Sequence, residues 1–313
     1  MDTLTNKQDS RLSPESLKSI VPCVNCGTTP EPFIVDTQDF EYGVKWSSML
    51  VRCPKCHLVT QQPRISSEDI SKLYPDNYFV HSAVSTKKSL YSFLKDKLDA
   101  KKINRINTYL PDGASAIEVG CGNGAFLRSL ERSRPDLTLT GVDIVDPGVF
   151  ENSNVTFLTG QLEDKEIKEN SIDLIFFDDL IEHVENPVTF LNVCHKLLKP
   201  GGVIFGITPD HGSLDRLMFQ KYWAGYHYPR HTFLFDHHNI KQILNKTGFT
   251  DIKLKGSNGL WVKSIKNIIM ELPATKKRGI IHYLSMIAFY PVDLFINMFM
   301  CHGEMSFIAH RNK

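Results

Sequence analysis

At 313 residues the chain is long enough for one large core and a second, smaller unit. Its 36 Lys and Arg stand against 35 Asp and Glu, a net charge of +1, which excludes an overall field drawing it to nucleic acid or to an anionic surface. The seven cysteines are an odd count in a chain whose first 18 residues have neither a secretory nor a transit-peptide layout, so reduced thiols and a cytoplasmic setting are expected.

In chain order, residues 1–20 read as a flexible polar tail. Cys23-Val24-Asn25-Cys26 and Cys53-Pro54-Lys55-Cys56 then form two C-x-x-C turns, each able to present two thiolates to one tetrahedral zinc ion. With Phe33-Ile34-Val35 and Met49-Leu50-Val51 as strands, residues 21–62 predict a zinc ribbon. A closed set of four thiolates keeps no open position, so this metal is expected to be structural, and His57 to be a bystander. The ribbon carries Lys45, Arg52 and Lys55 against Glu31, Asp36, Asp39 and Glu41, a balance that cannot neutralise a row of phosphates. Residues 63–86 read as a polar connector, and Lys87 to Leu110 as an amphipathic helix with Leu90, Leu94, Leu98 and Ile106 on one stripe.

Next comes Ala116-Ile117-Glu118-Val119-Gly120-Cys121-Gly122-Asn123-Gly124. An apolar run ending in an acid, followed by alternate glycines and a new helical stretch, brings backbone against a bound nucleoside at a helix N-terminus. Leu137 to Asp143 predicts a second strand, ending in a carboxylate placed to hydrogen-bond ribose hydroxyls. A dinucleotide is still compatible with this pattern. A third strand follows at Val155-Thr156-Phe157-Leu158. The chain then runs through Ser171-Ile172-Asp173-Leu174-Ile175-Phe176-Phe177-Asp178-Asp179-Leu180-Ile181-Glu182-His183-Val184 and reaches Leu197-Leu198-Lys199-Pro200-Gly201-Gly202.

With these motifs in this order, residues 87–256 and the C-terminal strand 304–313 resemble the class I S-adenosylmethionine-dependent methyltransferases. The resemblance implies an α/β, Rossmann-like, doubly wound sheet of seven strands, the last antiparallel, and a methyl donor in place of a hydride carrier. It also implies that Glu118, Gly120, Cys121 and Gly122 lie near the methionine end of the cofactor and Asp143 at the ribose. Gln161 and Leu162 would lie near the adenine, and Asp178 where the fourth strand passes under the cofactor. Many relatives carry an acid where Gln161 stands. The Glu182-His183 pair belongs to a strand-to-helix corner in this branch. The cysteine turns, with Leu73-Tyr74-Pro75-Asp76-Asn77-Tyr78 downstream, resemble the N-terminal zinc ribbon of sugar and natural-product methyltransferases, whose members usually have glycine at the position of His57.

The fifth strand, Val203 to Thr208, leads to Tyr222-Trp223-Ala224-Gly225-Tyr226-His227-Tyr228-Pro229-Arg230-His231-Thr232-Phe233, a loop composition suited either to a ligand or to a buried anchor. A hydroxyl acceptor must lose a proton, and histidine titrates in the right range. His231 is the first candidate base and His227 the second, with Arg230 suited to an anionic acceptor group. Between the sixth strand, Asp251 to Leu254, and the last, Met305 to His310, lies the insertion 257–303. Its stretch 279–301 predicts two short helices broken near Pro291 that form a helical cap, with a peripheral membrane contact as the alternative. The whole predicts methylation, at oxygen or carbon, of a small molecule or carbohydrate in glycan or secondary-metabolite biosynthesis. An RNA or protein methyltransferase and a non-catalytic cofactor-binding scaffold are the competing readings.

Overall fold

The computed structural model describes residues 20–64 other than 34, 36 and 47, residue 73, residues 90–271 other than 147, 151, 152 and 258, and residues 303–312. For residues 90–98 it describes the backbone alone. The expected N-terminal tail, nearly all of the connector and the 279–301 stretch of the insertion therefore lie outside the described residues. In chain order the strands are β1 (Glu31–Pro32), β2 (Met49–Arg52), β3 (Val59–Gln62), β4 (Ser115–Val119), β5 (Thr138–Asp143) and β6 (Thr156–Thr159). There follow β7 (Ile172–Asp178), β8 (Leu198–Pro209), β9 (Phe233–Leu234), β10 (Phe249–Gly256) and β11 (Glu304–Arg311). The helices are α1 (Leu90–Asn107), α2 (Ala125–Ser133), α3 (Pro187–Leu197), α4 (Leu214–Phe219), α5 (His237–Lys246) and α6 (Trp261–Glu271). Among the described residues no helix is long and apolar enough to cross a membrane.

Two compact units divide the chain. One comprises Met1–Leu73, Pro209–Asn239 and Asn258–Glu304, the other Tyr74–Thr208, Ile240–Ser257 and Met305–Lys313. The second unit carries a seven-stranded sheet in the order β10-β11-β8-β7-β4-β5-β6. The pairs from β8 through β6 are parallel, and β10 and β11 run antiparallel, so the expected doubly wound sheet with an antiparallel last strand is present. The unbroken run Leu174-Ile175-Phe176-Phe177, with no exposed surface, is what a central strand covered on both faces requires. Adjacent β7 residues point to opposite faces: Phe176 meets Phe126 of α2 at 5.3 Å and Phe177 meets Phe190 of α3 at 5.2 Å. Asn186 caps α3 by accepting from the backbone of Val188 and Thr189, with Pro187 at the first helical position. The strand order reverses at β4, which has β5 on one side and β7 on the other, and in such sheets that reversal marks where ligands bind. The helical stretch ends at Leu197, and Leu198 already pairs with Ile172, so β8 begins earlier than the predicted strand.

The first unit holds a four-stranded antiparallel sheet, β1-β2-β3-β9. The ribbon's main hairpin joins β2 to β3, and it is the turn Cys53–Cys56 that reverses the chain, through Cys53 N to Leu58 O (2.9 Å) and His57 N to Cys53 O (2.9 Å). Its fourth strand comes from Phe233–Leu234, the end of the aromatic loop. Leu50, Val59, Trp223, Tyr226, Leu234 and Leu260 form this unit's core. Trp223, Tyr226, Tyr228 and Phe233 of the loop are thus interior groups. Tyr228 Oη, for example, donates to Trp46 O at 2.9 Å.

Candidate functional site

Glycine shapes the loop after β4. Gly120, Gly122 and Gly124 have φ of 72°, 52° and 66°, a region that other residues enter at a cost of about 1–2 kcal/mol. Gly120 N donates to Val142 O (2.8 Å), and Gly122 N donates to Asp143 Oδ2 (2.7 Å). The other oxygen of Asp143 accepts from Val145 N (3.3 Å). Asp143, buried at 8% exposure, therefore ends β5 and fastens the glycine turn, while its remaining lone pairs can serve a ribose. Gly160 N donates to Asp143 O (2.8 Å), which ties the end of β6 to the same place and brings Gln161 and Leu162 alongside. Gln161 is half-buried in extended backbone; Leu162 is buried and starts a short 3-10 turn. Cys121 is also buried, and burial pushes its thiol up, so it stays protonated and fills space.

Around the carboxyl ends of β4 and β7 the charges are uneven. Glu118 is 5% exposed and its Oε2 has no hydrogen-bond partner. Burial first, then Asp178, Asp99 and Asp143, push its pKa up to about 8 against the opposing pull of Lys102. Lys102 Nζ donates to Asp178 Oδ2 at 3.0 Å and stands 4.1 Å over the Phe126 ring. Burial works against this ammonium, but Asp178 and Glu118 outweigh it and its pKa is raised. Two groups here escaped the sequence reading. Lys102 lies on the predicted helix without any motif to mark it. Ile144, directly after Asp143, is an exposed apolar residue at 52% where an aliphatic side chain gains nothing from water.

In the first unit, His227, Arg230 and His231 form a network with two acids from the ribbon, in which Asp39, Arg230 and His231 are buried, His227 is half-buried and Glu41 is exposed. Arg230 is paired to Asp39 through both terminal nitrogens, at 2.7 and 3.0 Å, and Asp39 further accepts from Glu41 N, Tyr42 N and Val44 N. Burial raises the Asp39 pKa, but the hydrogen bonds and charge of Arg230 reverse this and hold the carboxyl below its ordinary value. His231 Nδ1 lies 2.8 Å from Gly225 O, which can only accept, so Nδ1 carries the proton and Nε2 accepts from His227 Nδ1 at 3.2 Å. His227 Nε2 is then the titrating atom of the pair, 3.0 Å from Glu41 Oε2 and 3.0 Å from Arg230 Nε. Burial lowers the His227 pKa more than Glu41 raises it. Neither Asp39 nor Glu41 was legible as a partner, because each lies nearly 200 positions from the residue it meets.

The four ribbon thiols converge. Cys23, Cys26, Cys53 and Cys56 offer Sγ atoms all within 4.8 Å of one another, with Cys23 to Cys56 at 3.5 Å and Cys26 to Cys53 at 3.3 Å. Four sulfurs at 2.3 Å from one ion would stand about 3.8 Å apart, so the set fits a single tetrahedral cation. The two turns match in backbone as well. Gly27 follows the first pair at φ 75° and His57 the second at φ 60°, which explains why glycine suits that position.

The profile described as "Methyltransferase domain" matches residues 92–254. Among curated proteins, the mitochondrial ubiquinone biosynthesis O-methyltransferase of Dictyostelium discoideum is 28% identical over 128 residues, 35% of this chain and 40% of that protein. The ubiquinone biosynthesis O-methyltransferase of Citrobacter koseri is 24% identical over 185 residues, 54% of this chain and 74% of that protein. The chain spans 40–42% of the length of the first curated relatives it matches. A solved structure of Haemonchus contortus phosphoethanolamine N-methyltransferase 2 with S-adenosyl-L-methionine aligns with TM-score 0.48 and 20% identity, covering 68% of this chain and 53% of that one. With just over half of its residues matched by that profile, on a sheet of the expected order, the chain belongs to the methyltransferase-domain family.

Proposed function

We propose that this protein transfers a methyl group from S-adenosylmethionine to an oxygen of a small molecule. The observation that carries the reading is Glu118, an acid buried without a partner for Oε2 at the mouth of a glycine loop fastened by Asp143. Asp99, Asp143 and Asp178 make this end of the sheet electronegative, and Glu118, which holds its proton at neutral pH without a ligand, ionises when a cation approaches, which suits the ammonium and sulfonium of S-adenosylmethionine. The same charges oppose the pyrophosphate of a dinucleotide. The cofactor supplies, when bound, a methyl group on a positively charged sulfur. Glu118, Gly120, Cys121 and Gly122 would hold its methionine end, Asp143 the ribose, Gln161, Leu162 and Ile144 the adenine, and Asp178 the neighbourhood of the sulfonium.

That the acceptor atom is oxygen is supported by the names of the curated relatives, which include a malonyl-[acyl-carrier protein] O-methyltransferase 1 of Coxiella burnetii besides the ubiquinone enzymes. The ribbon's resemblance to those of sugar and natural-product methyltransferases supports a glycan or secondary-metabolite context. His231 and His227 are the proposed proton acceptors, acting as one pair in which His227 Nε2 takes the proton and His231 Nε2 holds His227 Nδ1–H. Glu41 favours the charged form of His227 at Nε2, and Arg230, engaged with Asp39, holds the loop. The four thiols are proposed to hold a structural zinc ion.

Titration calorimetry with S-adenosylmethionine and S-adenosylhomocysteine, followed by a screen of phenolic, carboxylic and sugar hydroxyl acceptors, tests the reading. Binding together with O-methyl product supports it, and His231→Ala should then lower turnover while leaving cofactor affinity intact. Absence of binding rejects it, and binding without turnover across the panel favours a scaffold.

A further inference from the structure

Of the seven large apolar side chains left exposed among the described residues, four lie on two packed helices of the first unit: Leu214, Leu217 and Met218 of α4, at 46%, 55% and 54%, and Ile268 of α6, at 40%. Asp215 is fully buried and staples the helices together, accepting from Leu260 N (3.0 Å) and from Trp261 Nε1 (2.6 Å), while the rings of Phe219 and Trp261 meet edge to face at 5.0 Å. Leu214, Leu217 and Met218 follow the i, i+3, i+4 spacing of one helical stripe. Ile268 stands two turns after Trp261 and so shares its face, the one that borders α4. The four groups therefore gather on the solvent side of a rigid helix pair, and an apolar cluster of this kind marks an interaction surface.

The charges beside the cluster select the partner. The chain as a whole carries +1, yet residues 260–278 hold Lys263, Lys266, Lys276, Lys277 and Arg278 against Glu271 alone. The acid of α4 is turned inward to α6, and Glu271 is already held by Lys221 (3.1 Å) and Tyr222. Beyond Arg278 the sequence 279–301 contains Asp293 as its only Asp, Glu, Lys or Arg. The chain enters that apolar stretch from α6, and it is described again at Gly303, whose carbonyl accepts from Asp210 N (2.8 Å) just ahead of α4. Exposed aliphatic groups bordered by lysines, in a unit that holds both ends of an apolar stretch, suit an anionic lipid surface: acyl chains take the aliphatic groups and headgroup phosphates the ammoniums. A second copy of the chain would set these cations against their own kind. We infer that the outer face of α4 and α6 docks this protein on the surface of an anionic bilayer, with Leu214, Leu217, Met218 and Ile268 entering the boundary between headgroups and acyl chains. This inference is independent of the cofactor reading above.

Flotation of the full chain with vesicles of phosphatidylcholine alone, and with vesicles of equal parts phosphatidylcholine and phosphatidylglycerol, tests it. The parent should bind the mixed vesicles, bind phosphatidylcholine alone about tenfold more weakly or less, and be released by added salt. Leu217→Ser combined with Met218→Ser should weaken binding to the mixed vesicles by about tenfold or more, because two aliphatic groups no longer leave water. Both positions are exposed, so the urea midpoint should stay that of the parent. Ile268→Ser, on the other helix, should weaken binding in the same sense. A parent that does not bind the mixed vesicles overturns the inference, and if it dimerises while the double variant does not, the face belongs to a second copy. Unchanged vesicle binding by the double variant and by Ile268→Ser also overturns it, since the attachment then lies elsewhere in the chain. Equal binding to both vesicle types rejects an anionic surface as the partner.

Discussion

Glu118 offers a quantitative test of how the site stores charge. Its folded-state pKa is pushed up to about 8 from 4.5. Between those values the folded chain holds a proton that the unfolded chain has released, so stability falls as pH rises from about 4.5 to about 8 and levels off above. The gap of about 3.5 sets a ceiling of about 5 kcal/mol on that loss. Glu118→Gln keeps the shape of the protonated side chain and cannot ionise. The two proteins should therefore have similar stability near pH 4.5, and the variant should be the more stable by a few kcal/mol at pH 8.5. Urea denaturation of both proteins without cofactor, at intervals from pH 5 to pH 9, measures this, and taking the difference between them cancels other titrating groups. A difference that stays flat, or that favours the parent as pH rises, would refute the reasoning. A second consequence shares the same origin. A cationic ligand pulls the Glu118 pKa down and expels its proton, so affinity for S-adenosylmethionine should rise between pH 6 and pH 8 in the parent and not in the variant.

Asp143→Ala should weaken S-adenosylhomocysteine binding by about 1–3 kcal/mol, through lost ribose contacts and a loosened glycine turn, and Asp143→Asn by less; unchanged affinity in calorimetry would remove Asp143 from the site. Protein purified without chelator should carry about one zinc per chain, and Cys53→Ser should lose both metal and stability. Metal analysis finding none would reject the zinc assignment. His57→Gly should stabilise the chain by about 0.5–1 kcal/mol, because glycine adopts its left-handed backbone freely at some cost in chain entropy. A lower urea midpoint for that variant would contradict it.

What could be read in the sequence was what is local. Glu118, the glycines and Asp143 are joined by one strand, one turn and one helix, so their spacing alone brings them together, and the cysteine turns are self-contained in the same way. The sheet order came through resemblance, since no pattern within β10 or β11 says that they pair with each other. Long-range pairings were invisible. Lys102 reaches Asp178 across 76 positions, and Arg230 reaches Asp39 across 191. A two-residue strand such as β9 has no periodicity to detect. The composition of the aromatic loop admits two readings, ligand contact and buried anchor. Trp223, Tyr226 and Tyr228 are buried, as an anchor requires, and the histidines are engaged with one another.

The pairing of β3 with β9 has a bearing on how the molecule is made. A ribosome releases the cysteine turns and the first three ribbon strands long before it has synthesised Phe233–Leu234, the strand that completes their sheet. During that interval Leu50 and Val59 lack the core partners that follow Pro209, and Asp39 lacks Arg230. A metal ion held by the four thiols would be a cross-link already available to the nascent ribbon at that stage, since it needs nothing beyond Cys56. The N-terminal ribbon is thus not a detachable module. Cut away at its apparent boundary, it would present an uncovered apolar face and an acid shaped for a missing guanidinium, so the chain is better divided for expression by its contacts than by its motifs.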